Sequence, residues 1–238
     1  MLMSLTATMG SLGVLGAGWY LAPMTPRWGA VQRLRSRCRA TRSLILTYDD
    51  GPGEQLTPRL LRLLADHEAR ATFFLTGRRA SKHPGLIESM IDEGHEVGCH
   101  TQDHLHPWRT SPARAVADIH RGYDALARWI ERDAIFRPPY GKMTLPAWVA
   151  LRRRRAAIGW WTITAGDVRR TLPAPDRAAQ RARRDGGGVV LLHDFHRAGE
   201  RADFVLDATR RMLDAAEHHG WTIRTLGELF ALRTARAA

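Results

Sequence analysis

Four polar residues have the types and the spacing of a metal-assisted hydrolytic site. Asp49 and Asp50 end a run of strand-forming residues, and His100 and His104 lie four positions apart after another strand-like segment. Two histidines at this spacing reach one metal ion when they share one side of a helical turn. A carboxylate from a neighbouring strand end would complete a three-ligand site that leaves positions for water and a substrate oxygen. Such a site favours hydrolysis, although paired histidines also occur on surfaces and in cores without a metal.

The adjacent acids Asp49 and Asp50 are predicted to have different roles. Successive side chains on a strand point in opposite directions, so the two carboxylates are suited to two tasks. We assign Asp50 to the metal, together with His100 and His104, and Asp49 to the general base that takes the proton of water. The same alternation turns the hydroxyl of Tyr48 toward the side of Asp50. The alternative is a strand whose terminal acids bind the turn backbone.

Three residues at other strand ends can complete the acid and base chemistry. His193 ends an apolar strand and is the predicted acid, because an imidazole can carry a proton near neutral pH. Asp167 is predicted to orient His193 and keep it protonated, and Arg137 to hold Asp49 through a fork-shaped ion pair. Each has a plainer alternative: a structural ion pair for Arg137, a turn residue for Asp167 and a strand terminator for His193.

The elements that must position these residues alternate along the chain. Strand-like segments are separated by amphipathic helical stretches, which indicates a parallel sheet. Seven or eight such units favour closure into one (β/α) barrel, with the chemistry at the carboxyl ends of the strands. The predicted strands are 44–49, 71–77, 96–100, 135–139, 157–164, 189–194 and 221–226, and the predicted helices are 57–68, 84–93, 112–131, 145–154, 173–184 and 201–218.

The composition limits the class of protein and its partners. A chain of 238 residues with 44% hydrophobic residues can form one large α/β domain, and we expect a monomer. The net charge of +12 is almost all arginine, spread over many helices without repeated aromatic residues, so no nucleic-acid partner is expected. The two cysteines, Cys38 and Cys99, make no disulfide framework, and Cys99 is expected to be a buried core residue.

The amino-terminal part of the chain has a different composition. Residues 1–26 carry no charged side chain and could cross a bilayer. We favour a membrane anchor over a cleaved leader or a segment that covers the domain. The basic linker predicted at 27–42 contains six arginines, which the positive-inside rule keeps on the cytoplasmic side, and this argues against simple export. We predict a catalytic domain at 43–238 and a membrane-associated or cell-envelope location.

Five ordered motifs give the chain a resemblance to a known family. From about residue 43 to residue 230 the sequence resembles the polysaccharide deacetylases, the fourth carbohydrate esterase family, with its NodB-type homology domain. The usual TFDDGP is TYDDGP at 47–52, and the His-Thr and His pair of the second motif is at 100–104. The third motif, RPPYG, is complete at 137–141, and the fifth, LLHD, is complete at 191–194.

The resemblance implies a distorted (β/α) barrel and removal of N-acetyl groups from N-acetylglucosamine-type residues of a glycan, with release of acetate. It implies that Asp49 is the base and His193 the acid. It also implies that Asp50, His100 and His104 bind a divalent metal, which is usually zinc, with cobalt as an alternative. It also implies that the backbone N–H of Tyr140 helps to hold the tetrahedral oxyanion. Leu191 would line the pocket for the acetyl group.

The fourth motif departs from the family pattern at 164–168. Its second acid survives as Asp167, but the usual tryptophan is absent, and Trp160 or Trp161 could replace that aromatic wall. Trp108 is the main candidate for stacking on a sugar, with packing on its own domain as the alternative. This departure concerns the substrate more than the reaction. An O-acetyl esterase, a small-amide hydrolase and a catalytically weak glycan-binding module remain alternatives.

Overall fold

Strands and helices alternate along the chain in the computed structural model, which describes residue 20 and residues 22–195 and 199–232. The strands are β1 (Ser43–Asp49), β2 (Thr72–Leu75), β3 (Glu96–Cys99), β4 (Ile163–Thr164), β5 (Gly188–His193) and β6 (Thr222–Ile223). The helices are α1 (Thr25–Ala40), α2 (Leu56–Asp66), α3 (Gly77–Ala80), α4 (Pro84–Asp92), α5 (Pro112–Leu126), α6 (Leu145–Arg154), α7 (Arg177–Asp185), α8 (Glu200–His219) and α9 (Leu226–Ala231).

The first strand, β1, is the centre of the sheet. All seven of its residues are buried, as expected for a strand that is covered on both faces. β1 pairs in parallel with β5 along almost its whole length. On its other edge, the last three residues of β1 pair with β2, and the first two pair with β6. β6 therefore takes the place of β2 at the start of β1, which distorts the regular order of strands.

Two isolated bridges close the sheet into a barrel. β3 pairs with β2, and Cys99 at the end of β3 forms a parallel bridge with Phe136. Phe136 forms a second parallel bridge with Ile158, and the chain from Ile158 continues into β4, which pairs with β5. The strands thus return to β1, and the predicted distorted (β/α) barrel is confirmed. Cys99 is buried with a free thiol, as its position next to His100 predicted.

The helices pack their apolar faces on the outside of the barrel. In α2 the buried side chains include Leu60, Leu61 and Leu64, which recur at the helical spacing noted in the sequence. In α8 the buried stripe includes Val205, Met212 and other apolar residues. Burial of each such side chain contributes about 1.5–3 kcal/mol, so these two stripes fix both helices against the strands.

Two predicted elements are shorter than expected because of proline. The segment 135–139 forms only the bridge at Phe136, since Pro138 and Pro139 have no N–H to donate to a neighbouring strand. The helix predicted at 173–184 begins only at Arg177, the start of α7, after two prolines in the preceding turn. Neither change moves a strand end away from the site.

The segment predicted as a basic linker at 27–42 is mostly helical. It contains nearly all of α1, which packs against β1 and β5 and buries Leu34 and Cys38. Most of the apolar segment 1–26 lies outside the described residues. Its role as a membrane anchor therefore stays a prediction. Among the described residues, no helix is both long enough and apolar enough to cross a bilayer. The domain boundary at 43 stays a prediction.

Candidate active site

Asp50, His100 and His104 meet at the carboxyl ends of β1 and β3. Each offers one ligand atom, and these three atoms lie within 4.8 Å of one another. The Oδ1 atom of Asp50 lies 3.4 Å from Nε2 of His100 and 3.2 Å from Nε2 of His104. Asp50 Oδ1 is buried and makes no hydrogen bond within the described part of the chain. An unsatisfied carboxylate oxygen facing two imidazole nitrogens fits a divalent cation between them.

The protonation states of these three residues suit a metal. His100 Nδ1 lies 2.6 Å from the carbonyl oxygen of Arg137, so the proton belongs on Nδ1 and the lone pair of Nε2 faces Asp50. Burial, together with the charge of His100, lowers the pKa of His104 to about 4, which keeps this imidazole neutral near pH 7. Burial alone would raise the pKa of Asp50, but the neighbouring imidazoles of His100 and His104 outweigh burial and lower this pKa below its ordinary value.

The loop after β3 brings His104 into place without a helix, so the predicted helical turn is wrong. Thr101 and His104 have φ values of 68° and 55°, in the left-handed region that does not continue a helix. The buried carboxylate of Asp118 on α5 accepts hydrogen bonds from the backbone N–H of Asp103 and of Leu105, at 3.1 and 3.3 Å. Asp118 was not predicted as part of the site; its signal is an acid on the buried face of an amphipathic helix.

Asp49 is buried beside the predicted metal ligands and is held by Arg137. Nη1 of Arg137 donates to Oδ1 of Asp49 at 2.7 Å and to Oγ1 of Thr47 at 2.7 Å. This is one bond to the carboxylate, not the predicted fork. Nε donates to the carbonyl oxygen of Gly159 at 2.7 Å, and the guanidinium lies 4.0 Å from the ring centroid of Phe74. Burial lowers the pKa of Arg137, opposed by Asp49, yet an arginine stays charged in proteins.

His193 and Asp167 form the second ion pair of the site. Nδ1 of His193 lies 3.1 Å from Oδ2 of Asp167, and the same carboxylate accepts the backbone N–H of His193 at 3.0 Å. Burial lowers the pKa of His193, but the hydrogen bond and charge of Asp167, with the charges of Asp49 and Asp50, outweigh it and raise the pKa above its ordinary value. Because Nδ1 of His193 faces Asp167, Nε2 is the atom from which the imidazolium form of His193 can donate a proton.

Tyr140 lies next to His104, one of the predicted metal ligands, on strained backbone. Its φ of 57° and ψ of 11° place it in the left-handed region, which costs a non-glycine residue about 1–2 kcal/mol. Its ring centroid lies 4.7 Å from that of His104 and 4.6 Å from that of His106, and 55% of the residue is exposed. Leu191, predicted to line the acetyl pocket, is buried in β5 two residues before His193.

The tryptophans near the site have different surroundings. Trp160 is buried, whereas Trp161 is half-buried and lies 5.5 Å from the guanidinium of Arg137, so Trp161 is the one placed to replace the missing aromatic wall. Arg27 of α1 lies 5.0 Å from the ring centroid of each and donates to the carbonyl oxygen of Gly141 at 3.3 Å. Helix α1 therefore contacts the loop that carries Tyr140.

Trp108 packs on its own domain. Its Nε1 donates to the carbonyl oxygen of Met143 at 3.0 Å, and the ammonium of Lys142 lies 4.6 Å from its ring centroid. The ring of Tyr20 approaches it edge-on at 6.2 Å. These contacts hold the side chain in place, and Tyr140 is the more exposed aromatic residue at the site.

Asp194 supports the site although no role was predicted for it. It is fully buried, and its Oδ2 accepts the hydroxyl of Thr57 at 2.7 Å, whose oxygen accepts the N–H of Gly53 at 2.8 Å. Burial raises the pKa of Asp194 to about 7, with a further contribution from the charge of Asp50. A Cβ on Gly51 would lie 2.2 Å from the Asp194 carboxylate, so only glycine fits there. Asp194 thereby fixes the turn that follows Asp50.

The prediction for Tyr48 is wrong. Its hydroxyl lies 2.9 Å from Oγ1 of Thr209 on α8, away from Asp50, and is fully buried. The alternation of side chains ends at Asp49, because Asp50 already has a φ of 72° and is no longer part of the strand. The opposite orientation of successive side chains holds for Tyr48 and Asp49 within β1, but it does not extend to Asp50 after the strand.

Several known proteins with similar sequences or folds are named as glycan deacetylases. The chain is 28% identical over 188 residues to a peptidoglycan-N-acetylglucosamine deacetylase of Bacillus cereus, covering 78% of this chain and 87% of that protein. It is 32% identical over 213 residues to a chitooligosaccharide deacetylase of Bradyrhizobium sp. (strain ANU 289), covering 84% of this chain and 96% of that protein.

A crystal structure of the Bc1960 peptidoglycan N-acetylglucosamine deacetylase, bound to an N-hydroxybenzamide, has a similar fold. The TM-score is 0.72 at 25% identity, over 83% of this chain and 92% of that one. The sequence profile described as Polysaccharide deacetylase matches residues 36–154, which include Asp49, Asp50, both predicted histidine ligands and Arg137. From the matched profile and from a 32% identical relative covered almost completely, this chain belongs to the polysaccharide deacetylase family.

Proposed function

We propose that this protein is a metal-dependent hydrolase that removes N-acetyl groups from N-acetylglucosamine-type residues of a polysaccharide or oligosaccharide. The observation that carries the proposal is the arrangement of Asp50, His100 and His104 beside two differently paired groups. One is the carboxylate of Asp49, bonded to Arg137. The other is the imidazole of His193, bonded to Asp167. An anionic base and a cationic acid beside one ligand set are what amide hydrolysis requires.

Asp50, His100 and His104 would hold the metal. A divalent cation bound there supplies Lewis acidity, which lowers the pKa of a coordinated water and polarises the acetyl carbonyl. Two imidazoles and one carboxylate suit zinc, and cobalt accepts the same ligands. Because each of the three residues supplies one ligand atom, removal of any one of them should weaken binding of the ion.

Asp49 and His193 would divide the proton transfers. Asp49 accepts the proton of the attacking water, and Arg137 holds its carboxylate in position while leaving Oδ2 without a bond from the guanidinium. His193, whose imidazolium form the Asp167 carboxylate stabilises, donates a proton to the amine that leaves. Acetate and a free amine are the products. Water supplies one oxygen and two protons, so no other reactant is needed.

Tyr140 and Leu191 would bind the acetyl group. The backbone N–H of Tyr140 is the proposed donor to the oxyanion, and its left-handed φ is how the loop points this N–H away from helical partners. Leu191 would contact the methyl group of the acetyl. Both roles rest on the position of these residues beside His104 and His193.

An acetate-release panel tests this proposal. Purified protein is stripped of metal, reconstituted with zinc or cobalt, and given N-acetylglucosamine oligomers, peptidoglycan and O-acetylated xylan. We expect metal-dependent release of acetate from the first two. Release from xylan alone would support an O-acetyl esterase on the same site. Retention of glycans without any turnover by metal-replete protein would support a glycan-binding module and overturn the proposed hydrolysis.

We also propose that the protein works at the cell envelope, with an acetylated glycan as its partner. Two observations support this: relatives are named for peptidoglycan, and residues 1–26 carry no charge. Membrane attachment through residues 1–26 is part of this proposal. A reporter enzyme that is active on only one side of the membrane, fused to residue 238, tests the location. Cell fractionation tests attachment, and recovery of the fusion in equal amounts from the soluble and membrane fractions would contradict it.

A further inference from the structure

A surface beside Tyr140 carries positive charge that the proposed chemistry does not use. We call it the cationic shelf and define it as His106, Arg109 and Lys142. Arg109 follows His106 in a turn in which its N–H donates to the carbonyl oxygen of His106 at 3.0 Å. The backbone N–H of Trp108 in the same turn donates to Nδ1 of His106 at 3.2 Å, and the ammonium of Lys142 lies 4.6 Å from the ring centroid of Trp108, so Lys142 lies against the turn that carries Arg109.

The two cations of the shelf lack acidic partners. Across the described ranges, neither Arg109 nor Lys142 forms an ion pair. Some other surface arginines are paired, such as Arg121 with Asp103 and Asp118 and Arg128 with Glu88, whereas others in the described ranges, such as Arg184, form no ion pair. Arg109 is exposed, and the Lys142 ammonium is held over the ring of Trp108. A pair of cations with no internal partner leaves an anion-binding surface open to solvent.

The shelf is continuous with the metal ligands through stacked rings. The ring of Tyr140 contacts His104 on one side and His106 on the other, with centroids at 4.7 and 4.6 Å. A glycan chain that leaves the ligand set on the side of the shelf would meet the exposed ring of Tyr140 and then Lys142 and Arg109.

We propose that the cationic shelf binds a carboxylate on the sugar adjacent to the one that is deacetylated, so that the preferred substrates are anionic glycans. This inference rests on the proposed deacetylase function and adds the substrate class to it. A neutral homopolymer of N-acetylglucosamine would bind at the metal ligands alone. A glycan in which every second sugar carries a carboxylate would also engage Lys142 and Arg109.

The test compares two tetrasaccharides that differ only in charge. One alternates N-acetylglucosamine with a sugar bearing a lactyl carboxylate, and the other is the same molecule with each carboxylate converted to a primary amide. We expect kcat/KM for acetate release to favour the charged form by about threefold to tenfold at low salt, through KM, and the preference to fall at about 0.5 M salt. No preference in the wild-type enzyme would overturn the proposal.

Variants locate the preference on the shelf. The double variant Lys142→Gln with Arg109→Gln is expected to bring the ratio of the two kcat/KM values to about one. The control Arg184→Gln removes an exposed arginine from the last turn of α7, at the opposite end of the barrel, and should leave the ratio as in the wild type. A double variant that keeps the wild-type ratio would contradict the assignment.

A binding measurement separates failure of the shelf from failure of the proposed function. The affinities of the Asp49→Asn protein for the charged and amidated tetrasaccharides are measured by calorimetry. Tighter binding of the charged form without acetate release from any substrate by the wild type would keep the shelf and refute the deacetylase. Equal affinities, with acetate released at equal rates by the wild type, would refute the shelf and keep the deacetylase.

Discussion

The two halves of the site are built in different ways. Asp49, Arg137, Asp167 and His193 stand on or beside the ends of strands, and the first three are almost wholly buried. Asp50, His104 and Tyr140 stand on loops, with φ values of 72°, 55° and 57°. We call these sets the strand half and the loop half. The side chains that we propose for proton transfer are thus held by the barrel, whereas two of the three proposed ligands, Asp50 and His104, and the proposed oxyanion donor Tyr140 depend on short loops in left-handed conformations.

The difference shows how each half is stabilised. In the strand half, Arg137 makes hydrogen bonds to three different residues and stacks on Phe74, so its position is determined from several directions. In the loop half, strained backbone persists because neighbours hold it: Asp118 binds the loop of His104, and Arg27 binds the loop of Tyr140. We therefore expect damage to the strand half to affect folding and chemistry together, and damage to the loop half to be more local.

The largest effect is expected from Arg137→Gln. The change leaves the buried Asp49 carboxylate without its cation, which should lower the free energy of unfolding by about 3–5 kcal/mol. Displacement of Asp49 should also lower kcat by about a hundredfold or more. Urea unfolding and acetate release measure the two effects. Arg137→Lys, which keeps the charge, should lose less stability than Arg137→Gln; equal losses would show that charge is not what Arg137 supplies.

An intermediate effect is expected from Asp167→Asn. His193 must be protonated to act as the acid, and Asp167 raises its pKa, so activity in the wild type falls as pH rises through this raised pKa. Without the carboxylate the pKa of His193 falls, and the alkaline limb of the pH–kcat profile should move to lower pH. The acidic limb should stay in place. An unchanged alkaline limb would remove His193 from the role of acid.

The smallest effect is expected from Tyr140→Gly. Glycine adopts a φ of 57° without strain and keeps the backbone N–H, so kcat should stay within about threefold of the wild type while KM rises with loss of the ring. The neighbouring Gly141→Ala is the matched contrast, because its Cβ would lie 2.6 Å from Cη2 of Trp161 at a φ of +61°. Gly141→Ala should lower kcat more than Tyr140→Gly; the reverse order would show that the Tyr140 ring, not its N–H, is important for turnover.

The strand half was predictable from the sequence and the loop half only in part. Alternation of strands and helices placed polar residues at one end of the barrel, and the contacts of Arg137 with Asp49 and of His193 with Asp167 are both present. Strand geometry has a period of two, so a pattern of residue types carries the directions of side chains. The roles of these residues remain predictions.

The sequence could not show where the strand geometry ends. Periodicity does not indicate that Asp50 takes a positive φ, and this is why the direction of Tyr48 was wrong. The helical turn at His104 failed for the same reason. Asp118 and Asp194 were missed because their partners, backbone N–H groups and the hydroxyl of Thr57, come from distant parts of the chain. Only the folded barrel brings them together.

The central claim is that the two adjacent acids have separate tasks, Asp50 for the metal and Asp49 for the base. Zinc titration calorimetry on metal-free Asp49→Asn and Asp50→Asn tests it most directly, together with acetate release by each. We expect Asp49→Asn to bind one zinc ion per chain with an affinity within about tenfold of the wild type, because all three proposed ligands are intact. The same variant should release no acetate, because it lacks the base. Asp50→Asn should bind zinc far more weakly. Loss of zinc binding in Asp49→Asn with near-normal binding in Asp50→Asn would contradict the assignment.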